Sequence, residues 1–151
     1  MGGTVNLHRP SATRHRVFMN SLTIAAVVAE CNLRLAGARI NKIFQPSADE
    51  ICFRLWNGVR DEQLYLLSRP QQARFHLTTK NFPNPFTPPR FCQLLRARLT
   101  RLLAFEQVGG DRLVLIDCAG REGKRYRLLL DLRPKANLVL LGPDDRIIDL
   151  L

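Results

Sequence analysis

Ile51-Cys52-Phe53-Arg54-Leu55-Trp56-Asn57-Gly58-Val59-Arg60-Asp61-Glu62-Gln63-Leu64-Tyr65-Leu66-Leu67-Ser68 is the stretch that decides the fold. Ile51, Phe53 and Leu55 alternate with Cys52, Arg54 and Trp56, which describes a strand with two different faces. Asn57-Gly58 is a hairpin signal, because both residues tolerate the positive φ that a tight turn needs. Gln63 to Ser68 is the return strand. Strands joined this tightly must run antiparallel.

The same signature extends in both directions. Upstream, Asn20 or Ser21 caps a helix running to about Ala36, with Ile24, Val27, Val28, Cys31 and Leu35 as its apolar stripe. Gly37 stops it where a left-handed residue is wanted. Arg39 to Gln45 reads as a strand ended by Pro46. Downstream, Arg74 to Thr78 alternates again. Strands follow at 102–107, 113–118, 125–132 and 137–141, separated by Gly109-Gly110, by Ala119 to Gly123, and by Gly142-Pro143-Asp144.

One segment departs from the pattern. Four of the nine prolines lie between Pro83 and Pro89. Each fixes φ and removes a backbone donor, so the segment is a stiff, extended loop. Pro89 suits the start of a helix. Phe91, Leu94, Leu95 and Leu99 give that helix one apolar face, while Arg90, Arg96, Arg98 and Arg101 place positive charge on the rest. Two helices and about eight short strands in hairpin series give the class α+β, with two antiparallel sheets forming a β-sandwich.

Lys and Arg outnumber Asp and Glu by 23 to 13, a net charge of +10. Residues 1–17 carry three of these positive charges (Arg9, Arg14, Arg16) and no acid, which leaves +7 on the remainder. A surplus this large favours a polyanionic partner, nucleic acid before an anionic membrane surface. Residues 1–17 have no apolar periodicity and are expected to be a disordered extension, with the folded domain at 18–151. They contain no secretory h-region, and no run has the length of a membrane span. The chain stops without a terminating signal, as a piece of a longer protein would. Cys31, Cys52, Cys92 and Cys118 are too far apart for a CxxC pair, and each sits in an apolar element. They read as free thiols in a reducing, cytoplasmic setting.

The motifs of catalysis are missing. The three histidines, His8, His15 and His76, form no metal-binding pattern. Gly109-Gly110 lacks the Lys-Ser/Thr of a phosphate loop, and no Ser or Cys has a nucleophile's setting. No metal, cofactor or small-molecule substrate is expected, and the chain does not read as an enzyme. Asp111-Arg112 follows the glycine pair at the mouth of a very apolar strand. Glycines allow close backbone approach to a ligand, arginine offers a planar fork for phosphate, and a carboxylate can hold that fork. A local turn salt bridge is the plainer alternative. Arg133-Pro134-Lys135 is a basic hairpin tip, where a phosphate contact competes with simple solvation.

These residues together resemble the NFACT N-terminal domain. The resemblance rests on Gly37-Ala-Arg-Ile-Asn-Lys-Ile-Phe-Gln-Pro46 with Asp49-Glu50-Ile51, and on Ala73-Arg-Phe-His-Leu-Thr78. It continues in Asn84-Pro85 with Pro88-Pro89, in Phe91-Cys92 with Leu94-Leu95-Arg96, and in Gly110-Asp111-Arg112. It spans about Phe18 to Leu151. The family includes bacterial proteins described as fibronectin-binding protein A and as ribosome quality-control component H.

The resemblance implies a fold similar to the N-terminal β-sandwich of formamidopyrimidine-DNA glycosylase. It also implies binding to the large ribosomal subunit carrying a stalled peptidyl-tRNA, and recruitment of tRNA for template-free tailing of the nascent chain. On that basis Asp111 and Arg112 are expected to bind tRNA. Asp131, Leu132 and Arg133 fall where the family has a Glu-Ile-Met triplet linked to subunit contact. Arg90, Arg96, Arg98, Arg101 and Lys135 are expected to add RNA or ribosome contacts. Two positions depart from the family: Asn20-Ser21-Leu22 stands for Asp-Gly-Leu, and Pro134-Lys135-Ala136-Asn137 for a Gly-Arg turn. Two other functions stay open, a fibronectin-binding adhesin and an inactive fragment with a glycosylase-like fold. The glycosylases begin Pro-Glu, whereas this chain begins Met1-Gly2-Gly3.

Overall fold

The computed structural model describes residues 19–151, so the expectation for residues 1–17 lies outside the described residues. Helix α1 spans Ser21–Leu35. Asn20 caps it, its side-chain oxygen accepting the Thr23 N–H at 2.9 Å. Ile24, Val28, Cys31 and Leu35 are buried along one face. Gly37, at φ +78°, then turns the chain into β1, Ala38–Phe44. Strands β2 (Glu50–Trp56), β3 (Asp61–Leu67) and β4 (Arg74–Leu77) continue outward as a meander. The β2–β3 turn is held by Asn57, whose side-chain oxygen accepts from the backbone of Val59 and Arg60.

The proline-rich loop returns the chain to helix α2, Arg90–Arg98, with Phe91, Cys92 and Leu95 buried. Helix α2 runs without a linker into β5, Leu99–Gln107, three residues earlier than the sequence suggests. A second meander follows: β6 (Leu113–Gly120), β7 (Arg125–Asp131), β8 (Asn137–Leu141) and β9 (Ile147–Leu150). The ninth strand was not legible in the sequence.

The two expected sheets are one. All nine strands form a single antiparallel sheet in the order β4-β3-β2-β1-β5-β6-β7-β8-β9. The physical cause is a narrow seam: β1 and β5 pair only through Ala38↔Leu102 and Arg39↔Arg101. Beyond it the strands part, and side chains satisfy the exposed edges. On β1, the Ile43 carbonyl accepts Arg96 Nε at 2.7 Å. On β5, Asn32 of α1 donates to the Phe105 carbonyl and accepts the Phe105 N–H, both at 2.8 Å. Unpaired backbone groups at a half-buried edge are costly, so these contacts complete the seam.

The two halves share one core. Ile43, Phe53, Leu64 and Phe75 from the first half belong to the same buried cluster as Leu102, Ile116, Leu128 and Leu140 from the second. The β3–β4 and β7–β8 turns also meet, Gln71 donating its N–H to the Pro134 carbonyl at 2.8 Å. A smaller cluster of Phe44, Cys52, Tyr65 and Leu67 lies on the other face of β1–β3, covered by Phe82 of the proline-rich loop. All four cysteines are free and buried. Burial pushes the thiols of Cys31 and Cys52 up to about 12 and raises those of Cys92 and Cys118, so all four stay protonated near neutrality.

Candidate nucleic-acid interface

Strand β5 ends at Gln107, and the chain reverses through Val108-Gly109-Gly110-Asp111. Gly109 and Gly110 sit at φ +60° and +72°, where a side chain would be strained. The turn closes when Asp111 N–H donates to the Val108 carbonyl at 3.0 Å. Gln107 Nε2 donates both to the Asp111 carbonyl, at 2.8 Å, and to the Ser21 carbonyl, at 3.0 Å. The start of α1 is thereby tied to this turn.

The register Leu113↔Asp131 brings the start of β6 beside the end of β7. The Leu132 N–H donates to the Arg112 carbonyl at 2.9 Å, which extends the ladder by one step. Asp111-Arg112 and Asp131-Leu132-Arg133, separate in sequence, therefore share one end of the sheet with Lys135. The Asp131 carboxylate accepts the Arg133 fork through Nε and NH2, both at 2.9 Å, and also the Arg133 N–H at 3.0 Å. The Arg133 guanidinium first, with Arg112 contributing, holds the Asp131 carboxyl below its ordinary value.

Two expectations change here. The Asp111 carboxylate accepts the backbone N–H of Arg112 at 2.7 Å and does not hold its fork. Among the described residues, the Arg112 guanidinium makes no hydrogen bond or ion pair. Leu132 is only 2% exposed, so its side chain belongs to the core and cannot meet a partner.

Arg90, Arg96 and Arg98 of α2 and Arg101 of β5 lie elsewhere. Leu99 pairs with Gly120, the far end of β6 from Leu113. Eight strand residues at roughly 3.3 Å each separate the two ends by about 25 Å. Arg90 pairs with Asp149 at 3.3 Å. Arg98 is half-buried. Arg101 donates to the Gly37 carbonyl at 2.9 Å. Arg96 enters an open groove of about 720 Å³ together with Arg39, Lys42 and Arg121.

No local signal in the sequence marks Arg39, Lys42 and Arg121 for this groove. A bulge explains Lys42: Ile40 opposes Leu55 and Lys42 opposes Arg54, leaving Asn41 as the extra residue. Plain alternation would put Lys42 on the inner face with Ile40. The bulge returns it to the outer face beside Arg39. Arg121 arrives from the β6–β7 turn and donates to the Ala97 carbonyl at 3.1 Å.

Among the described residues, no group of three or more His, Cys, Asp or Glu side chains could hold a metal ion. Among them, too, no helix is long and apolar enough to cross a membrane.

Known proteins place this arrangement in a family. Residues 20–151 match the family of NFACT N-terminal and middle domains. The chain is 33% identical over 94 residues to the Rqc2 homolog RqcH of Bacillus subtilis, covering 61% of this chain and 16% of that protein. It is 28% identical over 134 residues to the ribosome quality control complex subunit NEMF of Homo sapiens, covering 87% of this chain and 12% of that protein. The fold matches the N-terminal domain of the fibronectin-binding protein PavA from Streptococcus pneumoniae. There the TM-score is 0.82 at 26% identity, over 87% of this chain and 53% of that one. The fibrinogen-binding protein from Staphylococcus aureus gives a TM-score of 0.75 at 28% identity, over 87% of this chain and 49% of that one. The chain thus spans less than a fifth of the length of these curated relatives. With the match running over nearly every described residue, the chain belongs to the NFACT family.

Proposed function

We propose that this chain is a non-catalytic RNA-binding module of ribosome quality control. It would contact tRNA and the large ribosomal subunit carrying a stalled peptidyl-tRNA, while template-free tailing proceeds on the ribosome. The names of the RqcH and NEMF relatives support the setting. The observation that carries the proposal is the convergence of Arg112 and Lys135, neither in an ion pair among the described residues, with the Asp131–Arg133 pair at one end of β6 and β7. Free guanidinium and ammonium groups on a stiff turn suit phosphate, and the two glycines let backbone come close to it. Asp131 orients Arg133, and Asp111 sets the turn that presents Arg112.

The test is tRNA binding by fluorescence anisotropy, with folding checked by thermal melting. Arg112→Ala should weaken binding by about 1–3 kcal/mol, the scale of a charge-assisted hydrogen bond, and leave the melting temperature unchanged. Unchanged tRNA affinity in the folded variant removes Arg112 from the site. A second reading, a fibronectin-binding surface, draws support from the name of PavA. Saturable fibronectin binding by a chain that ignores tRNA would favour it.

A further inference from the structure

A second cluster of positive charge lies at the other end of the sheet. The turn at Asp111 and Asp131 mixes acids with bases. The groove at the β1 bulge holds Arg39, Lys42, Arg96 and Arg121 and no carboxylate. Elsewhere the fold neutralises many of its arginines: Arg34 with Glu62, Arg69 with Asp49, Arg127 with Asp117, Arg146 with Asp144. None of the four groove cations has such a partner among the described residues, and residues 1–18 contain no Asp or Glu. Neutral groups hold the arginines instead. Arg39 Nε donates to Asn41 Oδ1 at 3.0 Å, Arg96 to the Ile43 carbonyl, and Arg121 to the Ala97 carbonyl. Each guanidinium is positioned, keeps its charge and keeps spare donors.

An exposed aromatic residue lies close to this groove along the chain. Asn84 lines it, and Phe86 follows two residues later, at most about 7 Å along the chain. Phe86 is 102% exposed, whereas the six other phenylalanines among the described residues are buried or half-buried. The loop that carries it is fixed at both ends. Phe82 stacks on Tyr65 with ring centroids 4.6 Å apart and planes 6° from parallel. Gln93 Nε2 donates to the Pro88 carbonyl at 2.8 Å. Pro83, Pro85, Pro88 and Pro89 stiffen what lies between. A rigid exposed ring next to a cationic groove is the combination that holds unpaired nucleic acid, with backbone on the charges and a base on the ring.

We infer that the groove between the β1 bulge and the proline-rich loop binds a single-stranded segment of RNA. Its phosphates lie on Arg39, Lys42, Arg96 and Arg121, and one base stacks on Phe86. This rests on the RNA-binding proposal above only for the choice of polymer; the site is a separate one.

Anisotropy of the full chain with labelled oligouridylate, and with a blunt RNA duplex of equal length, tests it. The single strand should bind more tightly than the duplex. Phe86→Ala should weaken single-strand binding by roughly 5- to 150-fold, the range for one stacked base, with no change in salt dependence. Phe86→Trp should restore it. Arg39→Gln/Lys42→Gln/Arg121→Gln should lower the log–log salt slope by about 2. The charge-matched control Arg60→Gln/Arg74→Gln/Arg146→Gln should keep most of the slope. Both Phe86 variants should melt as the wild type does, since the ring buries nothing.

Equal affinity for the two RNAs overturns the inference. So does unchanged single-strand affinity in Phe86→Ala or in the groove triple, including the case where the triple instead loses binding to anionic vesicles. Because Arg112 lies about 25 Å away by strand length, its effect should add to that of the groove. tRNA loss in Arg112→Ala with intact groove variants overturns this inference alone. Groove losses with Arg112→Ala intact support it and remove Arg112.

Discussion

At the residue scale, function and fold depend on what a few side chains do not touch. Arg112 is available because Asp111 is occupied by a backbone N–H and Asp131 by Arg133. Gly120 shows the opposite situation. Its φ is ordinary, yet a Cβ there would lie 2.5 Å from Tyr126 Cε2 and 2.7 Å from the Arg98 carbonyl. Gly58, at φ +96°, has open space around it. Gly120→Ala should therefore cost about 1–3 kcal/mol through overpacking against backbone that cannot retreat. Gly58→Ala should cost about 1 kcal/mol from φ alone. Urea unfolding of the two variants measures the difference, and equal losses would show that both Tyr126 and the Arg98 carbonyl give way freely.

At the element scale, the start of α1 is informative because it adjoins the Asp111 turn through Gln107. Asn20, which the resemblance sets where an acid is expected, is here the N-cap. Asn20→Ala should destabilise the chain by about 1 kcal/mol. Asn20→Asp should keep the cap and add up to about 1 kcal/mol from the helix dipole, since no acid stands in the first turn. Thermal melting of the pair checks both. A neutral Asn20→Ala would mean that Gln107 and the packing of Met19 hold the helix start without the cap. Helix α2 teaches a different lesson: its docking on the Ile43 carbonyl, followed at once by β5, is what sets β5 beside β1.

At the scale of the whole molecule, two ion pairs are expected to contribute to the acid limb of stability. The Arg69 guanidinium holds the Asp49 carboxyl below its ordinary value of 3.8, and Arg133 does the same for Asp131. A depressed folded value means that the unfolded chain takes up protons first. The contribution is full above the unfolded value and is lost as the pH falls through the folded one. Stability should thus be flat from neutrality down to about pH 5 and drop below the ordinary aspartate value. Asp49→Asn/Asp131→Asn should be less stable at neutrality and lose less on acidification. Guanidinium-free melts across the acid range measure this, and parallel curves for the two proteins would assign the acid limb to other carboxylates.

Local sequence determined the elements. The Asn57-Gly58 hairpin, the Ile51, Phe53 and Leu55 inner face, the α1 stripe and the proline-rich loop follow from period, turn chemistry and φ restriction. All of these act within a few residues. The quoted motifs also carried the family, because their spacing survives in the chain itself. Tertiary structure decided what no local rule specifies. The β1–β5 seam joins residues more than sixty positions apart through two residue pairs, so hairpin patterns could not tell one sheet from two. Strand β9 pairs only because β8 offers it an edge. The bulge at Asn41 moves Lys42 to the outer face, and the fold then delivers Arg96 and Arg121 to the same groove. Charge is written in the sequence. Which charges are neutralised, and which are left to meet a partner, depends on contacts between distant segments.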